Sequence, residues 1–286
     1  MTQITGETRL LGVIGHPIAH SLSPLMHNAA LAEMGADFVY LPFAIAPENL
    51  EQAIKGFAAI GIQGFSITIP HKQTIMPLLN EISEVAQAIG AVNTVWRTDQ
   101  GWSGTNTDAE GFLAPLRSMQ RDWSQSVAVI LGNGGAARAV VAGCVELGCA
   151  EIHIVGRDAQ KLEAFSQSWN RSFGLQVHAW ETLTEWLPRA DLLVNATPIG
   201  MSPHIEKSPL TPAEVDQLKA GVVAYDLIYT PNPTLLLQQV SDRGSVAIDG
   251  LEMLIQQGAA ALKIWTQQSV PVETMRQALR HHLGLN

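Results

Sequence analysis

The sequence predicts a two-domain α/β chain, with a mostly parallel N-terminal sheet followed by a second α/β unit. Three observations carry that reading. Short β-rich apolar runs alternate with helical patterns almost from end to end, which calls for parallel strands covered by helices. The rhythm breaks at the polar stretch RSMQRDWSQ and restarts near Ser126. The length of 286 residues, with 47% hydrophobic and 15% charged residues, suits two globular domains.

In the first half, RLLGVIG is followed by SPLMHNAALAEMG, and DFVYLPFAI by ENLEQAIKGFAAIG. GFSITIP is then followed by a helical stretch expected from His71. Gly35 and Gly61 mark helix ends. In GHPIAHSLSP, Ser23 reads locally as an N-cap with Pro24 at the first helical position, leaving Ser21 in the loop. Alternation along GFSITIP puts Ser66, Thr68 and Pro70 on one face and Ile67 and Ile69 on the other. Thr68 and Lys72 therefore fall near the C-terminal end of a parallel strand, where open α/β sheets gather ligands. NTVW and GTNTDAEG add Asn93 and Asp108, whose local readings are an Asx turn and a helix N-cap.

The second half carries the most specific local signal. SVAVILGNGGAARAVV is a buried strand, the string Gly132-Asn133-Gly134-Gly135-Ala136-Ala137, and a helix, matching G-x-G-x-x-A. Gly132 permits the tight turn, Gly134 admits a pyrophosphate to the backbone, and Ala137 lets helix pack closely on strand. The helix N-terminus offers free N–H groups to the phosphates. This unit is thus expected to be a Rossmann-type dinucleotide-binding domain. At the end of the next strand, IVGRDAQK supplies Arg157 and Lys161 to clamp a 2′-phosphate, favouring NADP. Asp158 points the other way, toward the ribose diol of NAD. Strands follow at ADLLVNATP, GVVAYDLIY and SVAIDG, and an Ala-rich helical segment from Gly250 is expected to cross back to the first domain. The expected boundaries are 1–108 with 250–286 for the substrate-binding catalytic domain and 109–249 for the nucleotide domain.

A net charge of −9, without a basic stripe or stacking-aromatic pattern, excludes nucleic acid as a partner. No apolar run approaches membrane-spanning length and no targeting signal is visible, so the reading is cytoplasmic. Cys144 and Cys149 read as small buried thiols of a helix and its C-terminal turn. His16 and His20 are separated by Pro17 in a loop, and His281 and His282 end a basic helix, so no metal site is expected.

GHPIAHSLSP, SITIPHK, GAVNTV, GTNTDAEG, GNGGAAR, VNATPIGM, YDLIY and DGLEMLIQQGA, in that order, resemble the shikimate dehydrogenase family over nearly the whole chain. The resemblance implies an oxidoreductase acting on a CH–OH group, the reversible NADP-dependent reduction of 3-dehydroshikimate to shikimate in aromatic amino-acid biosynthesis. It assigns Lys72 and Asp108 to catalysis. Ser21 and Ser23, with Tyr229 nearby, would hold the substrate carboxylate, and Thr68, Asn93, Asp108 and Gln257 the ring hydroxyls. Gly132, Asn133, Gly134, Gly135 and Ala136 would cradle the pyrophosphate, with Arg157 and Lys161 on the 2′-phosphate. Thr197, Leu227 and Gly250 would line the nicotinamide end, and substrate is expected in the cleft between the domains.

The chain departs from the family at three places. Gly156-Arg157-Asp158 stands where Asn-Arg-Thr is common, which leaves NAD open beside NADP. Ser66 stands where Asn is frequent, and His71 where Phe is frequent. The alternatives are a quinate/shikimate dehydrogenase using NAD(P), or a non-catalytic nicotinamide-binding sensor on the same fold. A sensor would be expected to lack Lys72 or Asp108, and this chain keeps both. Monomer and homodimer remain open.

Overall fold

The computed structural model describes residues 4–169 and 174–285. It divides into two compact units, Met1–Gly111 with Leu254–Asn286, and Phe112–Met253.

The first unit holds the strands β1 (Arg9–Gly15), β2 (Phe38–Ala44), β3 (Gly64–Ile67), β4 (Glu81–Ile82), β5 (Thr94–Thr98) and β6 (Gly101–Thr105). They form one sheet in the order β2-β1-β3-β5-β6-β4. β2, β1 and β3 are parallel, whereas β5 is antiparallel to both neighbours and makes a hairpin with β6. Pro42, which cannot donate to a ladder, is tolerated in β2 because that strand lies at the sheet edge. The helices are α1 (Ser23–Glu33), α2 (Leu50–Ala59) and α3 (Glu84–Ile89). α4 (Asp108–Ser118) carries the chain out of this unit. Phe57, Phe65 and Trp102 stack edge-on through the core, with ring centroids 5.3 and 5.2 Å apart.

Two local expectations are corrected here. The stretch from His71 is not a helix: turns lead into a single 3-10 turn at Met76–Leu78 before β4. Pro77 lacks an N–H and clashes with a preceding turn, and the His71 ring is tied to Ile45 O at 2.7 Å. Ser23 is the first residue of α1 and makes no side-chain cap; the N-cap position is Leu22.

The second unit carries β7 (Val127–Leu131), β8 (Glu151–Gly156), β9 (Leu175–Ala179), β10 (Leu192–Asn195), β11 (Val223–Asp226) and β12 (Val246–Ile248). The sheet order is β12-β11-β10-β7-β8-β9, parallel throughout. The chain starts in the middle, fills one side, then returns for the other, so the switch point lies between β7 and β10. Both faces are buried: Ala128 and Ile130 enter one apolar cluster, Val129 and Leu131 the other. That is why VAVIL reads as an unbroken apolar run rather than an alternation. Each such fully buried Val, Leu or Ile contributes about 1.5–3 kcal/mol. The helices of this unit are α5 (Gly135–Glu146), α6 (Ala159–Gln167), α7 (Leu183–Trp186), α8 (Pro212–Val215) and α9 (Leu235–Asp242). α10 (Leu251–Thr266) returns the chain to the first unit, which α11 (Val272–Leu283) completes. Among the described residues, no helix is long and apolar enough to cross a membrane.

Candidate active site

In the first unit three strand ends and one helix converge on a carboxylate. Asn93 sits just before β5, its backbone fixed from both sides: Ile67 N donates to its carbonyl at 2.7 Å, and its own N–H donates to Thr105 O at 3.1 Å. Val92 N donates to Lys72 O at 2.8 Å, which docks the loop after β3 against the same strand. Asp108 opens α4, and its backbone N–H is taken by Asn106 Oδ1 at 2.9 Å. Its carboxylate meets side chains rather than the first-turn amides of α4. Asp108 Oδ2 pairs with Lys72 Nζ, and Asp108 Oδ1 accepts from Asn93 Nδ2 at 2.8 Å. The Lys72 and Asp108 side chains are 15% and 7% exposed, so the ion pair is held largely out of bulk water.

Around this pair lies a saturated amide network. Asn93 Oδ1 accepts from Thr107 N at 2.8 Å and Thr94 Oγ1 at 2.9 Å, and Asn93 Nδ2 also reaches Thr107 Oγ1 at 2.9 Å. Gln257, on α10, accepts a longer bond from Asn93 at 3.4 Å, and its carbonyl takes Thr107 Oγ1 at 3.0 Å. Thr68 N is held by Ile14 O at 2.9 Å. In the β1–α1 loop, Ser21 Oγ accepts from Ser23 N at 3.3 Å, which leaves the Ser21 hydroxyl hydrogen to donate elsewhere. Ser23 is 7% exposed. The structure thus brings Lys72, Asn93, Asp108 and Gln257 into one hydrogen-bonded set. Thr94, Asn106 and Thr107 belong to the same set and were not singled out from the sequence. His71 was noted as the start of an expected helix and as a departure from the family, and the structure makes it the anchor of the Lys72 loop.

One turn past Ser23 on α1, His27 is fully buried and stacked on Tyr40 with ring centroids 4.1 Å apart. Neither ring nitrogen has a hydrogen-bond partner among the described residues, and burial pushes the imidazole down to about 3.

In the second unit Gly132 has φ +101°, a conformation other residues rarely adopt. α5 then begins at Gly135 with no side-chain cap on its first turn. Asn133 Nδ2 is buried with no partner among the described residues. Free first-turn amides and an orphaned donor at a helix N-terminus are the groups a pyrophosphate would satisfy, so these residues fit a dinucleotide. Arg157 is exposed and makes no ion pair with a described residue. Asp158 is the N-cap of α6, accepting from Gln160 N and Lys161 N at 3.1 Å each, and pairs with Lys161 Nζ at 3.6 Å. The Lys161 backbone N–H, first, holds the exposed Asp158 carboxyl below the usual range. Its Oδ1 serves the helix and its Oδ2 lies toward the Lys161 ammonium.

Thr197 and Leu227 follow β10 and β11 and are pinned by one buried carboxylate. Asp226, fully buried, accepts from Asn195 Nδ2 at 2.9 Å, Ile228 N at 3.1 Å and Thr234 Oγ1 at 2.8 Å. Asn195 Oδ1 in turn accepts from Thr197 Oγ1 at 2.7 Å. Burial outweighs these donors and pushes the Asp226 carboxyl up to about 6. Gly250 N donates to Ile228 O at 3.1 Å, closing the same corner. Tyr229 lies in the loop after β11.

Family models match three stretches of the chain. These are the shikimate dehydrogenase substrate binding domain at residues 13–95, shikimate / quinate 5-dehydrogenase at 116–253, and the shikimate 5′-dehydrogenase C-terminal domain at 250–280. The chain belongs to the shikimate dehydrogenase family. A curated shikimate dehydrogenase (NADP(+)) of Trichormus variabilis is 64% identical over 99% of both chains. A crystal structure of a shikimate dehydrogenase in complex with NADP+ superposes with a TM-score of 0.90 at 38% identity, covering 99% of this chain and 98% of that one. The shikimate 5-dehydrogenase of Thermus thermophilus, in complex with NADP(H) and shikimate, gives 0.84 at 34% identity over 96% and 99%. Shikimate dehydrogenases thus share this chain's two-sheet architecture along its whole length.

Proposed function

We propose that the chain catalyses the reversible NADP-dependent reduction of 3-dehydroshikimate to shikimate. The observation that carries this is the Lys72–Asp108 pair, largely buried and braced by Asn93, in a member of this family. NADP, when bound, supplies the chemistry of hydride acceptance and donation. The chain's own residues handle the proton and the geometry. The reacting hydroxyl's proton is taken up within the Lys72–Asp108 pair and returned from it in the reductive direction, a contribution of about 10²–10⁴-fold. Asn93 fixes the carboxylate so that Oδ2 stays with Lys72. Ser21 and Ser23, with Tyr229, hold the substrate carboxylate, while Thr68, Asn93, Asp108 and Gln257 meet the ring hydroxyls.

On the nucleotide side, Gly132, Asn133, Gly134, Gly135 and Ala136 hold the pyrophosphate, and Arg157 and Lys161 the 2′-phosphate. Asp158, whose carboxylate caps α6, is a poor ribose ligand, and this supports NADP over NAD. Thr197, Leu227 and Gly250 line the nicotinamide end. Activity would place the chain in a cytoplasmic biosynthetic route to aromatic amino acids.

The test is a set of initial rates pairing shikimate or quinate with NADP or NAD, read as reduced nicotinamide by absorbance. Turnover with shikimate and NADP, at least tenfold above the other three pairings, is the expected result. A larger quinate rate would replace the substrate. Silence in all four pairings, with NADP still binding, would make the chain a sensor.

A further inference from the structure

α5 ends in a turn that brings the chain's two cysteines together. Leu147 is the C-cap, and Gly148 follows in the left-handed region at φ +76°. Cys149 N donates to Cys144 O at 3.0 Å and Gly148 N to Val145 O at 3.0 Å, the paired bonds of a Schellman motif. A side-chain contact between the residue after the glycine and the helical residue five positions before that one frequently accompanies the motif, and here both are cysteine. The 3.0 Å backbone bond also caps the separation of their Cα atoms at about 7 Å, within disulfide range. Both thiols are free; Cys144 is fully buried and Cys149 is partly exposed. Of the two residues, only Cys149 keeps part of its surface in solvent, while Cys144 is shielded.

We propose that Cys144 and Cys149 form a peroxide-reactive dithiol site that closes to an intramolecular disulfide across the α5–β8 turn. Cys149 reacts first, its sulfur attacking one oxygen of a hydroperoxide. An S–O bond forms, the O–O bond breaks, and the leaving hydroxide or alkoxide takes up the Cys149 thiol proton as water or alcohol, so sulfur is oxidised and the peroxide reduced. Cys144 then gives up its proton and attacks the Cys149 sulfur. The S–S bond forms, the S–O bond breaks, and hydroxide leaves with that proton as water. The assigned order agrees with the thiol–thiol hydrogen bond, which holds Cys149 below the usual thiol range and Cys144 well above it. A resolving thiol in contact also protects Cys149 from irreversible oxidation to the sulfinic acid.

The experiment treats the full chain with hydrogen peroxide, quenches, unfolds, alkylates with iodoacetamide and measures intact and peptide masses. With two cysteines in the whole sequence, the thiol count is complete. The expected product is a single chain lighter by two hydrogens, with neither cysteine alkylated and both recovered by dithiothreitol. In Cys149→Ser, Cys144 should stay fully alkylatable after the same exposure. Cys149 accumulating as sulfinic acid beside an alkylatable Cys144 would overturn the proposal. So would disulfide-linked pairs of chains, or two untouched thiols once the methionines have been oxidised.

Discussion

Asn93 donates its side-chain amide to Asp108 Oδ1 at 2.8 Å, and the other oxygen of that carboxylate is thereby turned to the Lys72 ammonium. The amide oxygen of Asn93 is equally occupied, by Thr107 N and Thr94 Oγ1, so the side chain cannot swivel without breaking bonds at both ends. Asp108→Asn keeps the shape but removes the charge that balances Lys72. It should lower kcat by about 100-fold or more. It should also cost stability on the order of 3–5 kcal/mol, because one member of a largely buried pair is left alone. Steady-state rates and urea melts check both; a variant with near-native kcat would take Asp108 out of the proton path.

Arg157 and Asp158 are neighbours with separate duties. Arg157 is exposed and unpaired among the described residues, whereas Asp158 is engaged as a helix cap. Arg157→Glu should raise KM for NADP by about 10–100-fold, the worth of a charge-assisted contact, with far less effect on NAD. Asp158→Asn, an equally good N-cap, should leave the NADP/NAD preference within about a factor of three. A preference that shifts with Asp158 and not with Arg157 would reverse these assignments.

His27 makes folding acid-sensitive. Burial lowers its imidazole to about 3 from 6.5, so between those values the unfolded chain binds a proton that the folded chain does not. The stability from keeping this ring neutral is full above pH 6.5 and is lost as pH falls toward 3, by up to about 1.4 kcal/mol per pH unit. His27→Leu should therefore flatten the fall of Tm with pH below about 6. The fall does not vanish, since burial also pushes His153 and His178 down. An unchanged slope would mean that His27 is not the group being protonated.

The sequence made some of this plain and concealed the rest for physical reasons. The Gly132 turn was legible because strand, glycines and helix are contiguous, and local sterics fix each residue type. The helix expected from His71 failed because a tertiary bond from its ring to Ile45 O, 26 residues away, outweighs local propensity in a stretch interrupted by Pro77. The hairpin of β5 and β6 passed unremarked within an otherwise parallel pattern, although Asp99-Gln100-Gly101 between two short β-rich runs was its signal. Lys72, Asn93 and Asp108 stood out only through ordered motifs. Thr107 did not stand out at all, since its hydroxyl partner, the Gln257 carbonyl, lies 150 residues along the chain. Local reading could not tell whether Asp108 caps α4; its carboxylate oxygens go to Lys72 and Asn93 instead.

The most direct test of the account is kcat of Lys72→Ala with shikimate and NADP, measured beside the dissociation constant for shikimate. The account predicts a fall in kcat of at least about two orders of magnitude with a modest change in affinity, because the lysine acts on the proton and not on holding the ring. A variant that binds shikimate as before and turns over near the native rate would contradict it.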